Sequence, residues 1–162
     1  MMRLKGATAS LAGAITSISM WAGVPALVFM PRFAYKLGVR KPFLWIPGIV
    51  LALAALSIIH VTIPVSWSLM ALVGIANVTR FTTILALPVE MMPSEDVGVA
   101  SGIVLSLGYT GGVLGALVGG YILDITGSLD RSFLVLVGLS IAAVGIALMV
   151  PETGPKARVQ NR

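Results

Sequence analysis

The sequence predicts an all-α, polytopic membrane protein with five transmembrane helices. The first observation behind this prediction is composition: of 162 residues, 57% are hydrophobic and only 10% are charged, and the mean hydropathy is +1.01. Soluble domains usually carry about 25% charged residues. The second observation is that the apolar residues form long runs, each able to cross a hydrocarbon core of ~30 Å, and that short polar segments separate these runs. Lipid is therefore the expected solvent of most of the chain.

The apolar runs predict spans at about 7–30, 43–61, 65–87, 97–124 and 132–150, so that residues 1–154 form one bundle and residues 155–162 a polar tail. The first run, with 24 residues, is longer than the apolar region of a signal peptide, about 7 to 15 residues. The fourth run has no charge over the 27 residues from Val97 to Leu123, about 40 Å of helix. Glycines spaced four residues apart predict that neighbouring helices pack closely on this span: Gly98/Gly102, Gly108/Gly112, Gly111/Gly115 and Gly115/Gly119.

Basic residues predict the orientation in the membrane. Five spans put the two termini on opposite sides, and one side then receives seven basic residues while the other receives three. Because basic loops stay in the cytoplasm, the first loop and the C-terminus are predicted to be cytoplasmic, in the cell (plasma) membrane. The net charge of +5 therefore indicates contact with the lipid bilayer and no nucleic-acid partner. The seven are Arg32, Lys36, Arg40, Lys41, Lys156, Arg158 and Arg162.

Polar residues are distributed unevenly among the predicted spans. Spans one, three and four contain most of the serine, threonine, asparagine and tyrosine residues, whereas spans two and five contain few. Polar groups inside a membrane usually face the bundle interior or a water-filled cavity. Spans one, three and four are therefore expected to face a cavity or one another, with spans two and five packed outside against lipid.

Arg80 is the one formal charge well inside a predicted span, and it is the sharpest candidate for a binding residue. It lies seven residues before Leu87, about 10 Å from the predicted helix end, where a charge costs at least ~2.5 kcal/mol. Asn77 is three residues earlier on the same face. The planar donor fork of Arg80 would bind an anionic group of a solute, with Asn77 as a neutral contact. The alternative is an arginine that extends to the membrane surface or pairs helices.

Three further residues are weaker candidates for the same binding site. Trp21 and Tyr109 could stack on or hydrogen-bond a ligand, or could instead pack and anchor helices at the membrane interface. Ser17 stands four residues before Trp21 on one helix face, although membrane helices more often use serine for interhelical hydrogen bonds.

The residue inventory argues against an enzyme. The chain has one histidine and no cysteine, so it can assemble neither a nucleophilic triad nor a zinc cluster. It also lacks both G-x-x-x-x-G-K-[ST] and a G-x-G-x-x-G that follows a strand. No cofactor or metal is predicted, and any transport must use a concentration or ion gradient.

Four segments resemble parts of the C-terminal half of a major facilitator superfamily transporter. The segment PRFAYKLGVRK is similar to the later part of the loop G-x-L-A-D-R-x-G-R-R, which joins the second and third helix of each six-helix half of that family. Pro31 stands where glycine is expected and Tyr35 where aspartate is. PVEMMPSEDVGVASG resembles the start of the eleventh helix, and GYTGGVLGALVGGYILDITGS resembles that helix in cyanate- and nitroimidazole-transporter-like members; VPETG resembles the end of the twelfth. The loop residues that match are Phe33, Ala34, Lys36, Gly38, Arg40 and Lys41.

This resemblance implies that the five spans correspond to helices eight to twelve, of which eight, ten and eleven line the central cavity. It also implies that the basic loop pairs with an acid after the fourth helix of the half, here Glu90 with Arg40 or Lys41. Such an exposed pair contributes little energy but can hold a cytoplasmic gate closed. Finally, it implies a seventh helix and a whole N-terminal half, so that this chain alone would hold half of a solute site.

The sequence therefore predicts secondary active transport of a small, anionic organic solute by alternating access, with this chain as a partial C-terminal half. Its partners would be the solute, the bilayer and the missing N-terminal half or other partner helices. One alternative is a non-transporting remnant or membrane assembly partner that binds other helices through its glycine ridges. Another is a small channel formed by oligomers.

Overall fold

The computed structural model describes residues 8–58 and 60–154, which form five helices in the predicted all-α arrangement. The predicted polar tail, residues 155–162, lies outside the described residues. Consecutive helices are joined by short connections, so neighbours in sequence run in opposite directions. The helices are α1 (Ala9–Leu37), α2 (Pro42–Ser57), α3 (Ile63–Met91), α4 (Val97–Thr126) and α5 (Leu129–Met149).

Four helices in the described part of the chain, α1, α3, α4 and α5, are long and apolar enough to cross a membrane. The exception is α2, whose 16 residues extend about 24 Å at ~1.5 Å per residue. The predicted second span, 43–61, is therefore too long, because the chain turns after Ser57 and Pro64 lies in the first turn of α3. This helix falls short of a hydrocarbon core of ~30 Å.

The first loop is shorter than predicted, because α1 continues through Pro25 and Pro31 to Leu37. A proline inside a helix removes one backbone hydrogen bond. In the same part of α1, Arg32 Nη1 donates to the carbonyl of Val28 at 2.9 Å. The helix ends at Gly38, whose φ of 74° is left-handed and whose N–H bonds the carbonyls of Ala34 and Tyr35. Of the four basic residues predicted to lie in the loop, Arg32 and Lys36 therefore lie on the last turns of α1, and Arg40 and Lys41 lie between α1 and α2.

Two helix pairs form the core of the bundle. The most extensive contact joins α1 to α3, and α2 packs on α5 and on α3. The backbones of α1 and α3 come so close at Gly74 that a Cβ there would overlap the backbone of Ser19. Close approach of backbones at small residues is typical of helices in lipid. Here it joins the first and third helices.

The fourth helix is the least covered. It contacts α5 and, less extensively, α3, and it has no buried residue. A Cβ added at Gly108, Gly111 or Gly115 would meet nothing within 4 Å. Within the described chain, the close packing predicted for the α4 glycines is therefore absent. One polar bond does hold this helix, since the buried Ser132 hydroxyl donates to the carbonyl of Gly119 at 3.0 Å.

Candidate functional site

A cavity of 830 Å³ lies between the helices, and α2, α3, α4 and α5 supply nearly all of its wall. Ligand pockets typically enclose about 300 to 1,000 Å³. The expectation that α2 and α5 face only lipid is wrong, because Leu51 and Ala54 of α2 and Phe133 and Leu136 of α5 line this cavity. Polar content alone did not identify these helices, since the wall that they provide is apolar.

Arg80 and Asn77 lie together on the α3 wall of this cavity, as their spacing predicted. Asn77 is exposed and Arg80 is partly buried. Among the described residues, the Arg80 guanidinium has no hydrogen-bond or ion-pair partner. It lies over α2, where its Nη1 is 3.6 Å from the position that a Cβ of Gly48 would occupy. A Cβ at Gly48 would be in ordinary contact with this guanidinium but would overlap the side chain of Val144 of α5, so Gly48 is needed for the packing of α2 on α5.

The other three candidate binding residues lie elsewhere. Trp21 and Tyr109 are 75% and 70% exposed, and neither lines the cavity that contains Arg80. Ser17 is exposed, and its hydroxyl donates to the carbonyl of Gly13 at 2.9 Å. The structure thus brings together two of the five predicted binding residues and leaves three on the outer surfaces of α1 and α4.

Two hydroxyl residues that the sequence did not single out line the cavity, Thr16 of α1 and Ser140 of α5. The Thr16 hydroxyl donates to the carbonyl of Ala12 at 2.9 Å, so a ligand would find its oxygen only as an acceptor. Thr16 and Ser17 are adjacent hydroxyl residues, and nothing in the sequence indicates which of the two faces the cavity.

A second polar site, the loop-end cluster, joins the first loop, the end of α3 and the segment after α5. It consists of Arg40, Glu90, Glu152 and Thr153. Arg40 Nη2 lies 2.8 Å from Glu90 Oε1, and Arg40 Nε donates to the same oxygen at 3.0 Å. The Thr153 hydroxyl donates to Glu90 Oε2 at 2.8 Å. Of the two basic residues predicted for this contact, the described structure uses Arg40.

Glu152 binds the backbone of the first loop with both carboxylate oxygens. The Arg40 N–H donates to Oε1 at 2.6 Å and the Lys41 N–H donates to Oε2 at 3.1 Å. Burial alone would raise the pKa of Glu152, but the backbone N–H groups of Arg40, Gly154, Lys41 and Thr153 outweigh burial and hold this pKa below its usual value. The sequence reasoning missed Glu152, although an acid directly after the apolar run and Pro151 was visible.

This geometry is that of a polytopic α-helical membrane protein. Its cavity is mainly apolar and has one charged side chain, Arg80, on the described wall, and a charged cluster lies at one end of the bundle. The sequence model of the Major Facilitator Superfamily matches residues 1–162. The chain belongs to this superfamily, whose members are membrane transporters and not enzymes. Comparison with curated proteins and with solved structures gives no match.

Proposed function

We propose that the chain takes part in secondary active transport of a small, anionic organic solute by alternating access. Arg80 and Asn77 bind the solute, and Arg40, Lys41 and Glu90 belong to a gate at the loop end, which faces the cytoplasm of the cell (plasma) membrane. Membership of the superfamily supports transport in general. The cyanate- and nitroimidazole-transporter-like subtype is not supported by the superfamily match and stays a prediction.

The observation that carries this proposal is the Arg80 guanidinium. Arg80 belongs to the membrane-spanning helix α3 and lies on the wall of an open cavity, and no carboxylate of the described residues pairs with it. An ionised group inside a membrane is expensive and normally faces a partner or a solute path. An anionic solute would supply the missing charge and could accept two parallel hydrogen bonds from the guanidinium.

Uptake into proteoliposomes that contain the full chain tests the solute site. Arg80→Gln removes the charge and should lower uptake of an anionic solute about 10- to 100-fold, because a hydrogen bond to a charged group contributes about 1.5 to 3 kcal/mol. Arg131→Gln is the matched control, since Arg131 is exposed in the first turn of α5, and it should leave uptake unchanged. Unchanged uptake of every anion by Arg80→Gln would show that the site assignment is wrong.

The gate has its own test, which exploits the absence of cysteine from the chain. Ser140→Cys places a single thiol on the cavity wall, and its rate of reaction with a maleimide reports access to the cavity. Arg40→Ala should change this rate when reagent is added from the cytoplasmic side, because the Arg40–Glu90 pair is lost. An unchanged rate would exclude a gating role for the pair.

A second candidate, a non-transporting assembly partner of other membrane helices, is favoured by one observation. The glycine face of α4 is uncovered in the described bundle, and small residues are where helices associate in lipid. The same face supports the view that the bundle works as part of a C-terminal half beside further helices. Reconstitution separates the two functions: Arg80-dependent flux supports the transporter, whereas helix association without flux supports the assembly partner.

A further inference from the structure

The cavity wall has many apolar side chains and few polar ones, and this limits which solutes the wall can bind. Among the described residues on the wall, four side chains are polar, and of these Arg80 alone is charged. The rest of the wall is aliphatic, aromatic, thioether or glycine, and it includes Met70 and Phe81 of α3. The polar side chains are Thr16, Asn77, Arg80 and Ser140.

The single positive charge of Arg80 on the described wall can be neutralised by one anionic group of a solute. Arg80 has no partner among the described residues, so a single carboxylate would neutralise it and accept its donors. The described wall offers no cation to a second carboxylate, so a solute held against this wall would place its second charge beside apolar side chains, where an unpaired charge is strongly disfavoured. A dianion is therefore a poor fit to this cavity.

The polar wall is also too sparse for a sugar or polyol. A solute with many hydroxyl groups would leave most of them without a hydrogen bond, and each buried unpaired polar group weakens binding. The Thr16 hydroxyl is already donating to its own helix, so the neutral side-chain donors that remain on the described part of the wall are Asn77 and Ser140. The apolar wall instead favours an apolar solute body.

We propose that the cavity binds an amphipathic monoanion, a solute with one carboxylate or equivalent group on an apolar body, which is aromatic or branched in the best ligands. This inference deepens the proposed function and rests on it for its physiological meaning. Arg80 binds the anionic head, Asn77 donates to it or to an adjacent acceptor, and Phe81, Phe133 and Leu136 contact the body.

Equilibrium binding to the full chain in lipid nanodiscs tests the proposal with four probes: benzoate, acetate, terephthalate and benzamide. These probes separately remove the apolar body, add a second charge and remove the charge. We expect benzoate to bind at least tenfold more tightly than each of the other three. A methyl group in 4-methylbenzoate should add up to about fourfold, the increment for one buried CH₂. Protein-free nanodiscs correct for partition into lipid.

A variant identifies the cation that is responsible. Arg80→Gln should reduce benzoate affinity to that of benzamide, whereas Arg131→Gln should leave the order of the four probes unchanged. The comparison of the four probes uses the unaltered chain, so it remains informative even if the Arg80→Gln variant does not fold. Equal affinity for benzoate and terephthalate, equal affinity for benzoate and acetate, or no saturable benzoate binding would each overturn the proposal.

Flux measurements separate failure of this inference from failure of the proposed function. If benzoate binds in the expected order but neither benzoate nor any other anion is taken up into proteoliposomes, the monoanion site stands and transport by this chain alone is refuted. If acetate or a dicarboxylate is transported in an Arg80-dependent manner and binds as well as benzoate, transport stands and the monoanion inference is refuted.

Discussion

Removal of the Arg40–Glu90 pair should measurably destabilise the bundle, and a double-mutant cycle isolates the pair. The four proteins of this cycle are the unaltered chain, Arg40→Ala, Glu90→Ala and the double variant. Arg40→Ala keeps the backbone N–H that binds Glu152. Glu90→Ala also loses the Thr153 hydroxyl bond, but the double variant loses it equally, so the cycle cancels it.

The geometry sets the magnitude of the expected coupling. Each side chain of the pair retains 13% of its exposure, so the pair is neither a fully exposed nor a fully buried ion pair. Exposed pairs contribute about 0.2 to 1 kcal/mol, whereas breaking a buried pair costs about 3 to 5 kcal/mol. We expect an intermediate coupling of about 1 to 2 kcal/mol, a factor of about 5 to 30 in the folding equilibrium.

The assay is reversible unfolding of the purified chain in mixed micelles, with helix content followed as the denaturing detergent is titrated. Lys41→Ala is the matched control. Its backbone N–H, which binds Glu152, is retained, so this variant should change the free energy of unfolding by less than about 0.5 kcal/mol. A coupling below about 0.3 kcal/mol, within the error of additivity, would refute the reasoning.

Three further perturbations have defined outcomes. The depressed pKa of Glu152 means that its carboxylate stabilises the fold above the ordinary glutamate pKa of about 4.3 and that this contribution is lost as pH falls through the lower folded-state pKa. The difference in melting temperature between the unaltered chain and Glu152→Gln should therefore be constant near neutral pH and shrink in acid. Gly74→Ala should cost about 1 to 3 kcal/mol of unfolding free energy by overlap with the α1 backbone, whereas Gly115→Ala, which meets nothing within 4 Å, should be neutral or stabilising by up to about 1 kcal/mol. Ser132→Ala loses the bond to α4 and should cost about 0.6 kcal/mol in the same titration.

For each of these three predictions, a specific result would contradict the reasoning. A Glu152→Gln difference that stays constant down to strongly acidic pH would mean that the carboxylate does not hold the loop. Equal effects at Gly74 and Gly115 would contradict the close contact between α1 and α3. A stability for Ser132→Ala indistinguishable from that of the unaltered chain would mean that its hydroxyl finds an equivalent partner in the unfolded state.

The number and type of helices were predictable because apolar runs of this length have few alternatives in lipid. Helix ends were less predictable. The segment after Met30 contains Pro31 and Arg32, residues typical of a loop, yet the helix continues through both. The reason is that Pro31 removes only one backbone bond, which is tolerated when the helix is otherwise continuous.

The composition of the cavity wall was harder to predict than the position of Arg80. A charge inside an apolar run is visible in sequence, and the i, i+3 spacing to Asn77 fixes a shared face. Hydroxyl residues were a poor guide to the cavity wall: Thr79 and Thr83 of α3 are buried and donate to carbonyls of their own helix, whereas much of the wall is apolar side chains of α2 and α5. Such back-bonding uses the hydroxyl hydrogen within the helix, and the pattern of residue types does not reveal it.

The hold of Glu152 on the first loop depends on amide hydrogens that belong to the main chain at positions 40 and 41. Every amino acid except proline offers that hydrogen. Evolution can therefore exchange both side chains, and with them the surface charge of the turn, and keep both hydrogen bonds, whereas a proline at either position would remove one of them. The contact of Glu152 with this turn therefore does not depend on which side chains, other than that of proline, occupy positions 40 and 41.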